Sequence, residues 1–283
     1  MTTPITQLMV HIDPSAHSAQ RLALACSLAK RHGSSITALY AATPQYVDLP
    51  FAPDGGQSMG ASMRQTDESY RTQARAEFDR FQASMQSGSG VQMTWAQVDD
   101  EPMMAAFAKQ ALYADLLVLG QHDPVSKHAV HMPADFVESV MAMSGKPALV
   151  LPFIGAPSSL AERIVIAWKP TREVARAVSA AVPLLQAAKE VHVVTWGTGG
   201  AAALGGRLDL KQYLTLRGIQ ATWHLQGDAP KDIGEMLLSR VFDFQADLLV
   251  MGCYGHSRSL EWVLGGVSRT ILQTMTVPVL MAH

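Results

Sequence analysis

The sequence predicts an α/β protein made of two tandem, doubly wound domains, each a five-stranded parallel sheet. Three observations carry that expectation. Phrases recur between the two halves in the same order, strand-like and helix-like hydrophobic periods alternate along both halves, and several apolar runs have the length and continuity of strands buried on both faces.

The repetition sets the domain plan. Val10-His11-Ile12-Asp13-Pro14-Ser15 is answered by Ile166-Ala167-Trp168-Lys169-Pro170-Thr171, displaced by 156 positions. Thr94-Trp95 is answered by Thr222-Trp223 at a displacement of 128, and Ala114-Asp115-Leu116-Leu117-Val118-Leu119-Gly120 by Ala246-Asp247-Leu248-Leu249-Val250-Met251-Gly252 at 132. Pro147-Ala148-Leu149-Val150 and Pro278-Val279-Leu280-Met281 close the series at 131. The displacement falls once, by 28, and then holds. One long insertion in the first half explains this, and residues 41–66, with Pro44, Pro50, Pro53 and Gly55-Gly56, have the composition of a loop. The domains are expected at residues 1–155 and 160–283, joined by Ala156-Pro157-Ser158-Ser159.

The elements follow in order. In the first half, strands are expected at residues 7–12, 35–40, 91–97, 115–119 and 147–151, with helices at 16–32, 66–85, 102–113 and 134–144. In the second, residues 163–168 are a short β-rich run, and 171–185 place Val174, Ala177, Val178, Ala181, Val182 and Leu185 on one helical face. Pro183 removes the bond back to residue 179 and is expected to kink that helix. Residues 190–196 read as a strand, 208–217 as a helix, 220–226 as a strand and 232–244 as a helix. Two continuous apolar strands, 246–251 and 278–282, flank a helix carrying Val267, Ile271 and Met275.

Composition narrows the function classes. The 283 residues hold 22 Lys+Arg against 24 Asp+Glu, a net charge of −2, which argues against a nucleic-acid partner that needs a basic face. No apolar run approaches the 18 or more residues of a membrane helix, and residues 1–13 have neither the basic nor the apolar region of a signal peptide. A cytoplasmic protein is expected. Cys26 and Cys253 read as free thiols. With 48% apolar and only 16% charged residues, against roughly 25% charged in soluble domains, much of the chain is core or interface.

Ligands of such sheets bind beyond the carboxyl ends of the strands, where the strand order reverses, so motifs are sought after strands one and four of each half. The clearest one follows strand four of the second half. Gly252-Cys253-Tyr254-Gly255 opens a loop, and Gly265-Gly266 begins the next helix after nine further residues. Glycines admit an oxyanion to backbone N–H groups, and a helix N-terminus offers free donors and its dipole, so the pattern suits a phosphate; glycines that merely make turns would look the same.

Gly252-x2-Gly255-x9-Gly265, set between an Ala-Asp-Leu-Leu-Val-Met strand and a helix leading to Val277-Pro278-Val279-Leu280, resembles the signature of the universal stress proteins. The openings Ile12-Asp13-Pro14-Ser15 and Ala167-Trp168-Lys169-Pro170-Thr171-Arg172-Glu173 are similar to that family's strand-one ends. The resemblance covers nearly the whole chain as two family domains. It implies a Rossmann-like fold of the adenine nucleotide alpha hydrolase-like kind, a role in stress survival, and ATP or AMP in the glycine loop of those members that bind nucleotide. Carried over residue by residue, it implies phosphate contacts at Gly252, Gly255, His256, Gly265, Gly266, Val267 and Ser268, and nucleoside contacts at Ala167, Trp168 and Lys169. Two departures stand out: Gly266 replaces the family's Ser or Thr after Gly265, a hydroxyl returning only at Ser268, and Lys169 replaces the strand-one Asp. The first half departs oppositely. Asp13 is in place, but only Gly120 of the loop remains, and Asp123 stands where the second glycine would be. That site is expected to be degenerate.

Other clusters read more plainly. His122, His128 and His131 with Asp123 fit no standard metal spacing, so no metal is expected; Asp99-Asp100-Glu101 suits a helix N-terminus. His256 and Glu261 have no nucleophile beside them, so no catalytic residue is assigned. The edge-forming strands 147–151 and 278–282 need partners; in the resembled family the last strands pair across domains, which implies intramolecular pairing of the halves, and a homodimer is expected beyond it. The expected function is a non-catalytic stress-response module that binds an adenine nucleotide in the second domain. The alternatives are a ligand-free interaction protein whose glycine loop is architectural, and a weak ATPase.

Overall fold

The computed structural model describes residues 5–43, 56–85, 90–98, 102–155, 159–197, 208–253 and 266–283. Contacts divide the chain into two units, one of residues Ile5–Ser144 and one that includes Gly145–His283.

In the first unit, β1 (Gln7–Ile12), α1 (His17–His32), β2 (Ser35–Tyr40), α2 (Gly56–Met85), β3 (Met93–Gln97), α3 (Met103–Ala111), β4 (Leu116–Gly120) and α4 (Phe136–Ser144) alternate as the hydrophobic periods require. A 3-10 turn at Ala129–His131 precedes α4. The strands lie in the order β3-β2-β1-β4, all parallel, with Val10 level with Ala38 on one side and Val118 on the other. Because β1 sits inside and the chain returns across it to reach β4, the order reverses between β1 and β4.

The second unit repeats this plan. β6 (Arg163–Ala167), α5 (Arg172–Ala187), β7 (Glu190–Trp196), α6 (Leu210–Thr215), β8 (Thr222–Gln226), α7 (Ile233–Asp243), β9 (Leu248–Gly252), α8 (Val267–Thr274) and β10 (Val279–Ala282) follow β5 (Ala148–Leu151). The strand order is β5-β10-β9-β6-β7-β8. Every pair in it is parallel except β5 with β10, where Val279 faces Val150 and Met281 faces Ala148 in antiparallel register. The reversal falls between β6 and β9.

The repeated Ala-Asp-Leu-Leu-Val phrase has a physical reason. Asp115 Oδ2 accepts the N–H groups of Thr6 and Gln7 at 2.8 and 3.0 Å, tying the start of β4 to the start of β1. Asp247 does the same for β9 and β6, accepting from the N–H of Arg163 at 2.9 Å and of Glu162 at 3.1 Å. The apolar residues after each Asp are buried: Leu116, Leu117, Val118, Leu248, Leu249 and Val250 are 0–1% exposed.

Several boundaries differ from the sequence reading. Helix α2 starts at Gly56, so the insertion at 41–66 is not all loop; after Pro53 the stretch 56–65 contains no proline and is rich in Ser, Met, Ala, Arg and Gln, which a helix accepts. Helix α5 continues through Pro183 to Ala187. Helix α6 is shorter than 208–217, and the chain leaves it through Gly218 in the left-handed region (φ 72°). The expected linker residues 156–158 lie outside the described residues.

Candidate functional site

The crevice of the second half lies between the carboxyl ends of β6 and β9. At β6, Trp168 donates its backbone N–H to the Val194 carbonyl at 2.8 Å, and its buried indole Nε1–H has no hydrogen-bond partner among the described residues. Lys169 follows, exposed. Thr171 then caps α5, its Oγ1 accepting from Val174 N–H. Glu173 in the first turn is 3% exposed. Burial works to raise its pKa; the Arg172 guanidinium, the residue's own N–H and the Thr171 hydroxyl outweigh burial and hold the carboxyl below its ordinary range.

This first turn explains one glycine of the motif. A Cβ on Gly252 would stand 2.8 Å from Val174 N and 2.9 Å from Glu173 Cβ, so only glycine lets α5 approach the end of β9. Glu173 already supplies the anion at the N-terminus of α5. The N-terminus of α8 is different: Gly266 stands at the cap, where among the described residues no side chain caps it, and the first turn has no acidic residue. The helix dipole therefore makes this end electropositive, with no acid of its own first turn to offset it. Ser268 is 7% exposed and lies on the buried stripe with Ile271 and Leu272. Gly255, His256, Glu261 and Gly265 lie outside the described residues.

The first-half crevice, between β1 and β4, is filled by a network that the sequence did not announce. Asp13 is 7% exposed and Arg21 3% exposed. Arg21 Nη2 lies 2.8 Å from Asp13 Oδ2, and Arg21 Nε donates to the His11 carbonyl at 2.7 Å. Asp13 Oδ1 accepts from the Ser15 N–H at 2.8 Å and from the Ser15 hydroxyl. Burial opposes the charged carboxylate, yet Arg21, His11 and Ser15 together hold Asp13 far below the usual carboxylate range. Burial also pushes His11 down to about 4, helped by Arg21 and opposed by Asp13. His11 packs against the rings of Phe107 and Phe136 and meets the Ala41 carbonyl through Nε2 at 2.8 Å.

Gly120 keeps its glycine for Arg21, whose Nη1 occupies the place a Cβ would take. Asp123, at the second glycine's place, accepts from Val125 N–H at 3.1 Å and lies 3.5 Å from His17 Nε2. From α2, Tyr70 sets its ring edge-on against His128 at 5.1 Å and His131 at 5.3 Å. His122, His128 and His131 are thus not gathered on one point, and among the described residues no group of three His, Cys, Asp or Glu is placed to hold a metal ion. Asp99-Asp100-Glu101 lie outside the described residues. Arg21 was legible only as a charge on the stripe that Ser18, Leu22 and Ala25 bury; Tyr70 carried no signal, because nothing in the sequence places α2 over this loop.

Both halves therefore define the same class: a doubly wound α/β domain whose strand order reverses at a switch point. The family model described as "Universal stress protein family" matches residues 161–283. Residues 161–283 are thus similar to the universal stress protein family. A universal stress protein from Archaeoglobus fulgidus DSM 4304 shares its fold over 98% of this chain and 96% of its own, at 16% identity and a TM-score of 0.68. A putative universal stress protein from Pseudomonas aeruginosa UCBPP-PA14 does so over 98% and 92%, at 15% identity and a TM-score of 0.59. Full-length coverage by both supports the tandem layout. No curated protein matches. Among the described residues no helix is long and apolar enough to cross a membrane.

Proposed function

We propose that this protein is a non-catalytic stress-response module that binds ATP or AMP in its second half and works as a cytoplasmic homodimer. The observation that carries the reading is the N-terminus of α8, the helix that follows the glycine loop after β9, where Gly266 has no side chain to cap it and the first turn has no acid. Lys169 after β6 and Arg172 at the start of α5 add positive charge that offsets Glu173. The buried, unpartnered Trp168 N–H is suited to an acceptor on the ligand. The reading includes no hydrolysis step.

Calorimetry with ATP and AMP on the wild type and on Gly266→Asp tests it. Aspartate is a favoured N-cap residue, so the variant should fold and gain about 0.3 kcal/mol of stability over glycine. Its carboxylate would meet the phosphate at the helix end and weaken nucleotide binding at least about tenfold. Failure to bind up to about 3 mM, or affinity unchanged in Gly266→Asp, overturns the proposal. The second reading, a ligand-free interaction protein, has an observation of its own: the packing of α5 onto Gly252 gives that glycine an architectural reason. It is favoured if no nucleotide binds.

A further inference from the structure

The two repeats end their sheets on related edge strands. β3 carries Met93-Thr94-Trp95-Ala96-Gln97 and β8 carries Thr222-Trp223-His224-Leu225-Gln226. Half the backbone N–H and C=O groups of an edge strand point away from its one neighbour, and they template a further strand unless something guards them. The two edges are guarded differently. Beside β3 lies the inserted helix α2: Gln82 Nε2 donates to the Met93 carbonyl at 3.0 Å, and Arg75 stands over the Trp95 ring at 5.5 Å. The second half lacks that insertion, and its helix between the corresponding strands is the six residues of α6. Among the described residues, β7 is the only strand paired with β8.

Nor does β8 protect itself. From Gly218 to Gly227 the sequence has no Asp, Glu, Lys, Arg or Pro, the residues that commonly keep an exposed edge from pairing. Leu225, on the same sheet surface as Trp223 because side chains alternate along a strand, is 53% exposed.

The strand is complementary to itself. Laid antiparallel across a two-fold axis at His224, it keeps all five residues paired: Thr222 meets Gln226 of the second copy, Trp223 meets Leu225, and His224 meets His224. Any slip shortens the ladder. Residues 222, 224 and 226 point their backbone groups one way and 223 and 225 the other, and this register pairs each set with itself, so ladder bonds form whichever set faces outward. Apolar side chains meet apolar ones twice, and polar meet polar. A net charge of −2 on each chain opposes the approach little.

We propose that β8 is the dimerisation edge: two copies of this chain pair residues 222–226 antiparallel about His224, with Leu225 of each against Trp223 of the other. The inference rests on the homodimer of the proposed function and names its surface. A five-residue ladder is short, so the association is weak and reversible.

Sedimentation of the intact chain from about 1 µM to about 1 mM tests it. Leu225→Lys puts a charge on the edge and should weaken the dimer at least about tenfold, while Leu225→Ile should retain it. Val125→Lys, at an apolar residue of the first half that is 87% exposed, should leave it unchanged. The register has its own readout. Facing residues of a ladder stand about 5 Å apart at Cα, within reach of a disulfide, whereas Thr222 would stand about 14 Å from its symmetry mate. Mild oxidation should therefore cross-link His224→Cys into a dimer, and leave Thr222→Cys and the wild type, whose Cys26 and Cys253 are buried, as single chains on denaturing gels. No association at about 1 mM overturns the inference together with the homodimer. A dimer indifferent to Leu225→Lys overturns this surface and leaves the homodimer standing, and cross-linking of Thr222→Cys as readily as His224→Cys overturns the register. If His224→Cys does not fold, the variants at the exposed Leu225 still decide.

Discussion

At the scale of single residues the first half is governed by one buried ion pair. Removing one partner of such a pair strands the other charge, which typically costs about 3–5 kcal/mol, whereas replacing both can be nearly neutral. Arg21→Met should therefore destabilise the protein by about that amount in denaturant unfolding, and Asp13→Asn with Arg21→Met should recover most of it. Equal stability of the single and double variants would show that packing of the Arg21 stem, not the charge, is what matters. The same neighbourhood sets an acid sensitivity. His11 titrates near 4 in the fold and near 6.5 when unfolded, so the unfolded chain binds its proton first. Stability is full above about pH 6.5 and is lost as pH falls towards 4, by about 2 kcal/mol between about pH 7 and about pH 5 from this residue alone. His128 and His224, also lowered by burial, act in the same direction. Asp13 adds a separate loss below about pH 4, where the unfolded carboxyl protonates before the folded one. Urea unfolding over this range with no change in midpoint would contradict the His11 assignment. None of this was visible in the sequence, where His11 is one residue of a strand and Arg21 one charge among 22 basic residues.

At the scale of elements, legibility followed the strength of the period. The strands β1, β2, β4 and β9 and the helix α1 lie within a residue or two of where their hydrophobic runs place them. Helix α2 was half legible. Its later part buries Ala74 and Phe78 at helical spacing, and Arg75 stacks over the rings of Phe78 and Trp95. Its earlier part has Gly56 and Gly60 and no apolar stripe, so local composition spoke for a loop. Tyr70 lies within the part of α2 that was expected, yet no local signal places that helix against His128 and His131. In the second half the glycine motif was legible as a pattern, but only the structure separates its described members by cause: Gly252 admits α5, while Gly266 is the N-cap of α8 and has no side chain to cap it.

At the scale of the whole molecule, sequence repetition and physical contact divide the chain by different criteria. Repetition assigns β5 to the first half, as its fifth strand. Contact groups Gly145 onward with the second unit, because the β5 backbone pairs with β10, which in turn pairs with β9. A strand's amides open with the ladder that holds them, so the two criteria give different expectations for native-state hydrogen exchange. Val250 is fully buried in β9, and Val250→Ala should cost about 2 kcal/mol, which speeds globally limited exchange in its unit about 30-fold. If contact governs, the amides of Ala148–Leu151 accelerate with those of β9 and β10 in Val250→Ala and respond far less to Arg21→Met, which loosens the unit of Ile5–Ser144. The opposite pattern, with β5 following Arg21→Met and indifferent to Val250→Ala, would return the strand energetically to the half in which it is encoded. The antiparallel register of β5 against β10 predicts the first outcome, since it ties residues 148–151 to the ladder of β10 and β9.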